Sequence, residues 1–143
     1  MSLQKNIIIL GGLGFVGSNL ANMFCANNQV TIFDNLDKNC GGSLSNIIKC
    51  QQPYVLSDAL DLSGYNKVFE CADIIIDCIG WTDHGGGQRD PDKDRRLNFE
   101  THAAFLNFFS KLNYKSTVKL IYLGSISEFG NVPKGKIIDA EAP

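Results

Sequence analysis

Histidine is scarce in this chain, with two in 143 residues. No spacing of His, Cys, Asp or Glu makes a metal cluster, and no complete Ser/His/Asp set can be read. Cysteines number five: Cys25, Cys40, Cys50, Cys71 and Cys78. The count is odd, no C-x-x-C occurs and several sit in apolar segments. This reads as free buried thiols in a reducing compartment, the cytoplasm. No apolar run exceeds strand length, so neither a signal peptide nor a membrane span is visible. Basic residues nowhere form a block. The 13 Lys and Arg against 15 Asp and Glu leave a net charge of −2, and nothing suggests a nucleic-acid partner. Repeats, linkers and low-complexity segments are also missing, so residues 1–143 read as one domain.

What the chain does have is a glycine turn between two regular elements. Ile7-Ile8-Ile9-Leu10 leads into Gly11-Gly12-Leu13-Gly14-Phe15-Val16-Gly17, and a helical pattern leads out. Strand, glycine turn and helix together are the context in which such glycines hold a dinucleotide pyrophosphate. One glycine permits a sharp turn, one lets a phosphate reach the backbone, and one packs helix against strand. The free N–H groups opening the helix, here those of Phe15, Val16 and Gly17, then face the anion. Two registers are open. Gly12, Gly14 and Gly17 fit G-x-G-x-x-G, and Gly11, Gly14 and Gly17 fit G-x-x-G-x-x-G. A second strand, Val30 to Phe33, ends in Asp34, 20 residues after Gly14. A dinucleotide fold places the acid for the adenosine ribose hydroxyls there. The competing reading is an ordinary αβ unit with a solvated Asp34.

The remaining pattern alternates. Strands are expected at 6–10, 30–33, 53–57, 73–79 and 118–123. Helices are expected at 15–27, 43–50, 64–71 and 91–112, with a loop through Gly85-Gly86-Gly87. Alternation implies a parallel sheet covered on both faces, a Rossmann-type doubly wound α/β fold with strand order 3-2-1-4-5. The runs at Ile74–Ile76 and Leu120–Leu123 are apolar without alternation, as doubly covered strands are. The 91–112 helix carries two apolar stripes. Thr101, Ala104, Phe105, Phe108 and Leu112 form one; Phe99, Ala103, Leu106 and Phe109 form the other. The sheet can cover one, so the second points to a homodimer through this helix or to cover from the chain's own helices.

Ligands in such folds bind beyond the carboxyl ends of the strands. The candidates there are Asp34 and Asn35, then Asp58 and Ala59, Ile79 and Gly80, and Ser125, with Asn98 in the long helix. For Asp58 and Ser125 loop capping is the alternative. The acids after the second strand disfavour a 2′-phosphate, so NAD is expected over NADP, with Lys38 as the one nearby cation in sequence. Asp83-His84 could be imagined as a polarised base; a surface loop is the simpler reading.

Taken together these residues resemble the extended short-chain dehydrogenase/reductase superfamily, in particular the NAD-dependent nucleotide-sugar epimerases and dehydratases. Gly11 to Leu20 resembles the family's glycine motif. Phe33-Asp34-Asn35-Leu36 resembles its "DNL", and Asp58 its adenine-contacting aspartate. Asn98 resembles the asparagine of its central helix, although Thr101 stands where glycine is usual. Gly124 to Gly130 resembles its "SSxxVYG", which gives Ser125 the place of the catalytic Ser/Thr. The resemblance implies hydride transfer between a sugar carbon and nicotinamide, with a nucleotide sugar as substrate.

Three departures bear on activity. Asp77-Cys78-Ile79-Gly80 stands where the family has "HLAA". Ile126 and Ser127 replace the Asp-Glu pair of the dehydratases, which argues for epimerase or reductase chemistry. None of Tyr54, Tyr65, Tyr114 or Tyr122 is followed four positions on by lysine, so the family's Tyr-x-x-x-Lys is missing. The resemblance places that tyrosine just past Pro143. The expectation is therefore a cofactor-binding part without its sixth strand, base and substrate domain, inactive alone. The rival from another class is a non-catalytic NAD-binding sensor or interaction module.

Overall fold

The structure is a computed structural model that describes residues 4–37, 40–47, 53–125 and 135. Five strands form one parallel sheet: β1 (Asn6–Leu10), β2 (Gln29–Asp34), β3 (Tyr54–Leu56), β4 (Ile74–Asp77) and β5 (Lys119–Tyr122). Their order is β3-β2-β1-β4-β5, as the sequence pattern predicts. Ile8 sits opposite Thr31 on one side and Ile75 on the other, which puts β1 at the centre. Between β1 and β4 the strand order reverses, and crevices open at such points.

Successive side chains of a strand face opposite ways. Ile7 and Ile9 therefore enter one core with Ile32, Ile76, Leu13 and Ala21 of α1 (Phe15–Phe24). Ile8 and Leu10 enter the other with Phe33, Ile75 and Phe69 of α2 (Asn66–Glu70). Phe105 and Phe109 of α5 (Thr101–Phe109) complete this second core. Phe69 is fully buried at its middle, with ring centroids 5.1 Å from Phe33, 5.2 Å from Phe108 and 6.1 Å from Phe105.

Several expectations need correction. The predicted helix 43–50 is a single 3-10 turn, Leu44–Ile47, within the described residues. Gly85–Gly87 are not a loop but lie in α3 (His84–Arg89). Asp83 caps this helix by accepting the Gly86 N–H at 2.9 Å. A Cβ on Gly86 would stand 2.6 Å from the Trp81 ring, so glycine is what lets the indole lie against the helix. The predicted helix 91–112 divides into α4 (Pro91–Arg95), a π turn (Arg96–Glu100) and α5, and ends at Phe109. β5 is exposed along its whole length among the described residues, not covered on both faces. The thiols are free, but none is fully buried: Cys25, Cys40 and Cys78 are half-buried and Cys71 is exposed. Cys50 lies outside the described residues. No helix among them is long and apolar enough to cross a membrane.

Asp73 ties β1 to the start of β4. Its carboxylate accepts the Asn6 N–H at 2.8 Å and pairs with Lys115 at 2.8 Å. The Asn6 hydrogen bond first, and Lys115 second, hold this carboxyl below the usual range. A lowered folded pKa contributes stability that is present above the unfolded value, near pH 4, and is lost as pH falls through the folded value. Melting temperatures at pH 7 and pH 3 are therefore expected to differ less in Asp73→Asn than in the wild type. An unchanged difference would remove Asp73 from the acid response.

Candidate functional site

The turn after β1 treats the glycines of the two registers differently. Gly11 has φ +68°, and a Cβ there would lie 3.0 Å from the Cys78 and Ile79 backbone. Only glycine takes this conformation and this approach at little cost. Gly12 is buried and faces Ile32, away from the crevice. A Cβ on Gly17 would stand 2.4 Å from Gly11 O, so the helix touches the turn there. Gly11 and Gly17 are thus the glycines at which the turn and the start of α1 meet, and Gly14 precedes the helix as its N-cap.

α1 begins at Phe15 without a side-chain cap and without an acid in its first turn. Phe15 and Val16 expose their side chains, and their N–H groups belong to the first helical turn, which has no partner within the helix. The backbone of the turn comes close to the helix start, no acid stands in the first turn of α1, and the one carboxylate that meets the turn is Asp34, at Leu13.

Beyond the strand ends a first cavity collects Gly11 and Gly14 from the turn, Asp34 and Asn35 from β2's end, and Asp58 and Ala59 from β3's end. Ile79 and Gly80 close it from β4. Asp34 already accepts the Leu13 N–H at 2.9 Å and the Leu36 N–H at 2.8 Å. Each carboxylate oxygen keeps a second lone pair for ribose hydroxyls. Asp58 caps its own loop through the Leu60 N–H, 3.0 Å, and pairs with Arg96 at 3.3 Å. The capping reading of Asp58 thus holds alongside its place on the cavity.

Lys38 lies outside the described residues, but the fold brings two cations the spacing did not show. Lys93 pairs with Asp37 at 3.7 Å and lies 4.7 Å over the Trp81 ring; Arg96 engages Asp58. Both are matched by carboxylates. Two thiols, Cys40 and Cys78, also line this cavity. Burial raises both, Cys78 to about 11 with Asp77 adding to the effect, so both are protonated thiols at neutral pH and weak nucleophiles.

A second, wider cavity continues from Ile79 and Gly80 to Asn98, Tyr122 and Ser125. Asn98 is committed to the chain's own backbone. Its Oδ1 accepts the Trp81 N–H at 2.7 Å and its Nδ2 donates to Trp81 O at 3.0 Å. It fixes the exit from β4 rather than presenting a free amide. In the π turn that carries it the Arg96 carbonyl accepts the Thr101 N–H, and the Thr101 hydroxyl donates to that same carbonyl at 2.8 Å. This is why Thr101 fits where glycine was expected. Asp83 serves its helix cap and pairs with Arg89, 3.7 Å away; the His84 side chain lies outside the described residues.

Sequence reasoning missed one pair. Asp77 Oδ2 and His102 Nδ1 are 2.6 Å apart, with side chains 4% and 12% exposed. A carboxylate ending a buried isoleucine strand was the available signal, because it must find a partner in the interior.

The family described as the NAD dependent epimerase/dehydratase family matches residues 7–143 of the chain. No curated protein matches it significantly. Among solved structures it is similar to the UDP-N-acetylglucosamine 4-epimerase from Methanobrevibacter ruminantium M1. That pair gives a TM-score of 0.80 at 23% identity, over 96% of this chain and 43% of the other. The UDP-glucose 4-epimerase from Brucella ovis in complex with NAD gives 0.78 at 23% identity, over 96% of this chain and 41% of the other. A UDP-glucose-4-epimerase from Stenotrophomonas maltophila with bound NAD gives 0.77 at 18% identity, over 94% and 41%. At these identities the likeness is one of fold. This chain spans 41–43% of those three chains.

Proposed function

The chain belongs to the NAD dependent epimerase/dehydratase family, and we propose that it forms the cofactor-binding part of a nucleotide-sugar epimerase. The observation that carries this is the uncapped start of α1, set against a positive-φ Gly11 at the point where the strand order reverses. In this reading the Phe15, Val16 and Gly17 N–H groups hold the diphosphate. Asp34 and Asn35 take the adenosine ribose, and Asp58 and Ala59 border the adenine. Ile79 and Gly80 let the cofactor lie along the backbone, and Asn98 holds that backbone in place. Bound NAD supplies a hydride acceptor that can return the hydride to either face of the sugar. Ser125 hydrogen-bonds the substrate hydroxyl whose carbon is oxidised. A tyrosine base comes from sequence outside these 143 residues, since the chain has no Tyr-x-x-x-Lys. Ile126 and Ser127 supply neither acid nor base, which favours epimerisation over dehydration.

Titration with both cofactors tests the first half of this reading. The chain is expected to bind NAD more tightly than NADP, because Asp34, Asp37 and Asp58 outnumber Lys93 and Arg96 at the ribose end. Tighter binding of NADP would overturn it. The second half is tested by reading the coding sequence beyond Pro143. A Tyr-x-x-x-Lys soon after supports the epimerase, and a stop codon supports a non-catalytic NAD-binding module.

The long helix favours self-association. Of its second stripe Phe109 is buried, but Phe99 is 66% and Leu106 50% exposed, with Ala103 exposed between them. A homodimer through this face accounts for the pattern. Light scattering is expected to give a mass above that of the monomer, and Leu106→Glu to reduce it. A monodisperse wild-type monomer would contradict the interface.

A further inference from the structure

Asp77 ends β4 and is 3% exposed. A carboxylate so placed is costly unless both oxygens are bonded. Here Oδ1 accepts the Ile79 N–H at 3.0 Å, and Oδ2 meets His102 Nδ1 at 2.6 Å. An ionised carboxylate only accepts, so the Nδ1 atom carries the proton. In the neutral ring Nε2 is then an acceptor. Among the described residues it has no hydrogen-bond partner. The ring is held edge-on to Tyr122, with centroids 4.9 Å apart, and lines the second cavity with Tyr122 and Ser125. Of the charged groups around it, Asp77 touches the ring. Asp83 and Asp94 line the same cavity, engaged by Arg89 and Asn98.

We propose that Asp77 and His102 form a hydroxyl-accepting subsite in the second cavity, with Asp77 fixing the tautomer and His102 Nε2 taking the hydrogen bond. His102 is a ligand-binding residue and Asp77 its positioning residue. The subsite rests on the cofactor reading above for the ligand's place. The hydroxyl belongs to a furanose or pyranose: the nicotinamide-side ribose of NAD, or a sugar bound beside it.

Long-range proton–nitrogen spectra of the imidazoles test this on the 143-residue chain. The His84→Gln variant leaves His102 as the one histidine. The free chain at neutral pH is expected to show Nδ1 protonated and Nε2 bare. NAD alone shifts the Nε2 resonance if the ribose is the donor; a shift that appears only when UDP-glucose is added to the NAD complex assigns a sugar hydroxyl. In Asp77→Asn the Ile79 N–H still needs an acceptor, so the amide turns its NH2 towards His102. The proton then moves to Nε2 and the ligand shift is lost. A wild-type Nε2–H tautomer overturns the subsite. So does an Nε2 that ignores both ligands while the Gly14–Gly17 amides respond to NAD. If those amides fail to respond, the cofactor reading fails instead, and the tautomer still decides the Asp77–His102 geometry.

Discussion

Gly17→Ala is expected to lower NAD affinity by about 100-fold, roughly 2.7 kcal/mol, and to lower the melting temperature with it. A methyl group is a small addition, but this one has nowhere to go. The new Cβ would lie 2.4 Å from Gly11 O and 2.7 Å from Gly12 Cα, both main-chain atoms. No flexible side chain can yield, so either α1 moves off the sheet or the turn opens. Both displace the first-turn N–H groups from the place where a diphosphate would sit. Gly64→Ala is the control. A Cβ there meets nothing within 4 Å, and its effect on both quantities is expected to be near zero. Calorimetric titration with NAD, beside thermal melts, checks the pair. Equal affinities in Gly17→Ala and the wild type would show that the cofactor does not use this turn.

Phe69→Ala is the largest expected effect on stability, about 3–5 kcal/mol. A domain of this kind has about 5–15 kcal/mol in all, so the variant stands near the edge of folding. The cost comes from three aromatic neighbours on two other elements, Phe33 on β2 and Phe105 and Phe108 on α5, which lose their common partner together. The melting temperature is expected to fall by roughly 10–20 °C. A fall of only a few degrees would mean that the second core is centred elsewhere.

The parts legible in the sequence are those decided by neighbours along the chain. Ile7 to Gly17 spells a buried strand, a turn and a helix start, and the fold repeats that order. Asp34 was placed by its distance from Gly14, and it stands on the first cavity as the spacing requires. The glycine register was not legible, because φ at Gly11 and the contact of Gly17 with the turn are properties of the folded backbone. Nor was α3, whose three consecutive glycines disfavour a helix by propensity. The cap from Asp83 and the close approach of Trp81 override that preference. The π turn at Arg96–Glu100 leaves no mark in apolar spacing; it is held by the Thr101 N–H and hydroxyl, both donating to the Arg96 carbonyl. The two cations that pair with Asp37 and Asp58, Lys93 and Arg96, come from helical residues 59 and 62 positions after Asp34, beyond any local window. Asp77 and His102 are 25 residues apart and meet across β4 and α5. Their pairing needed the strand order to be known first.

The most direct measurement is a crystal structure of the chain with NAD. The cofactor's diphosphate should accept hydrogen bonds from the N–H groups that open α1, with a ribose hydroxyl on the Asp34 carboxylate. A diphosphate bound elsewhere, or an adenosine that leaves Asp34 untouched, would contradict the account.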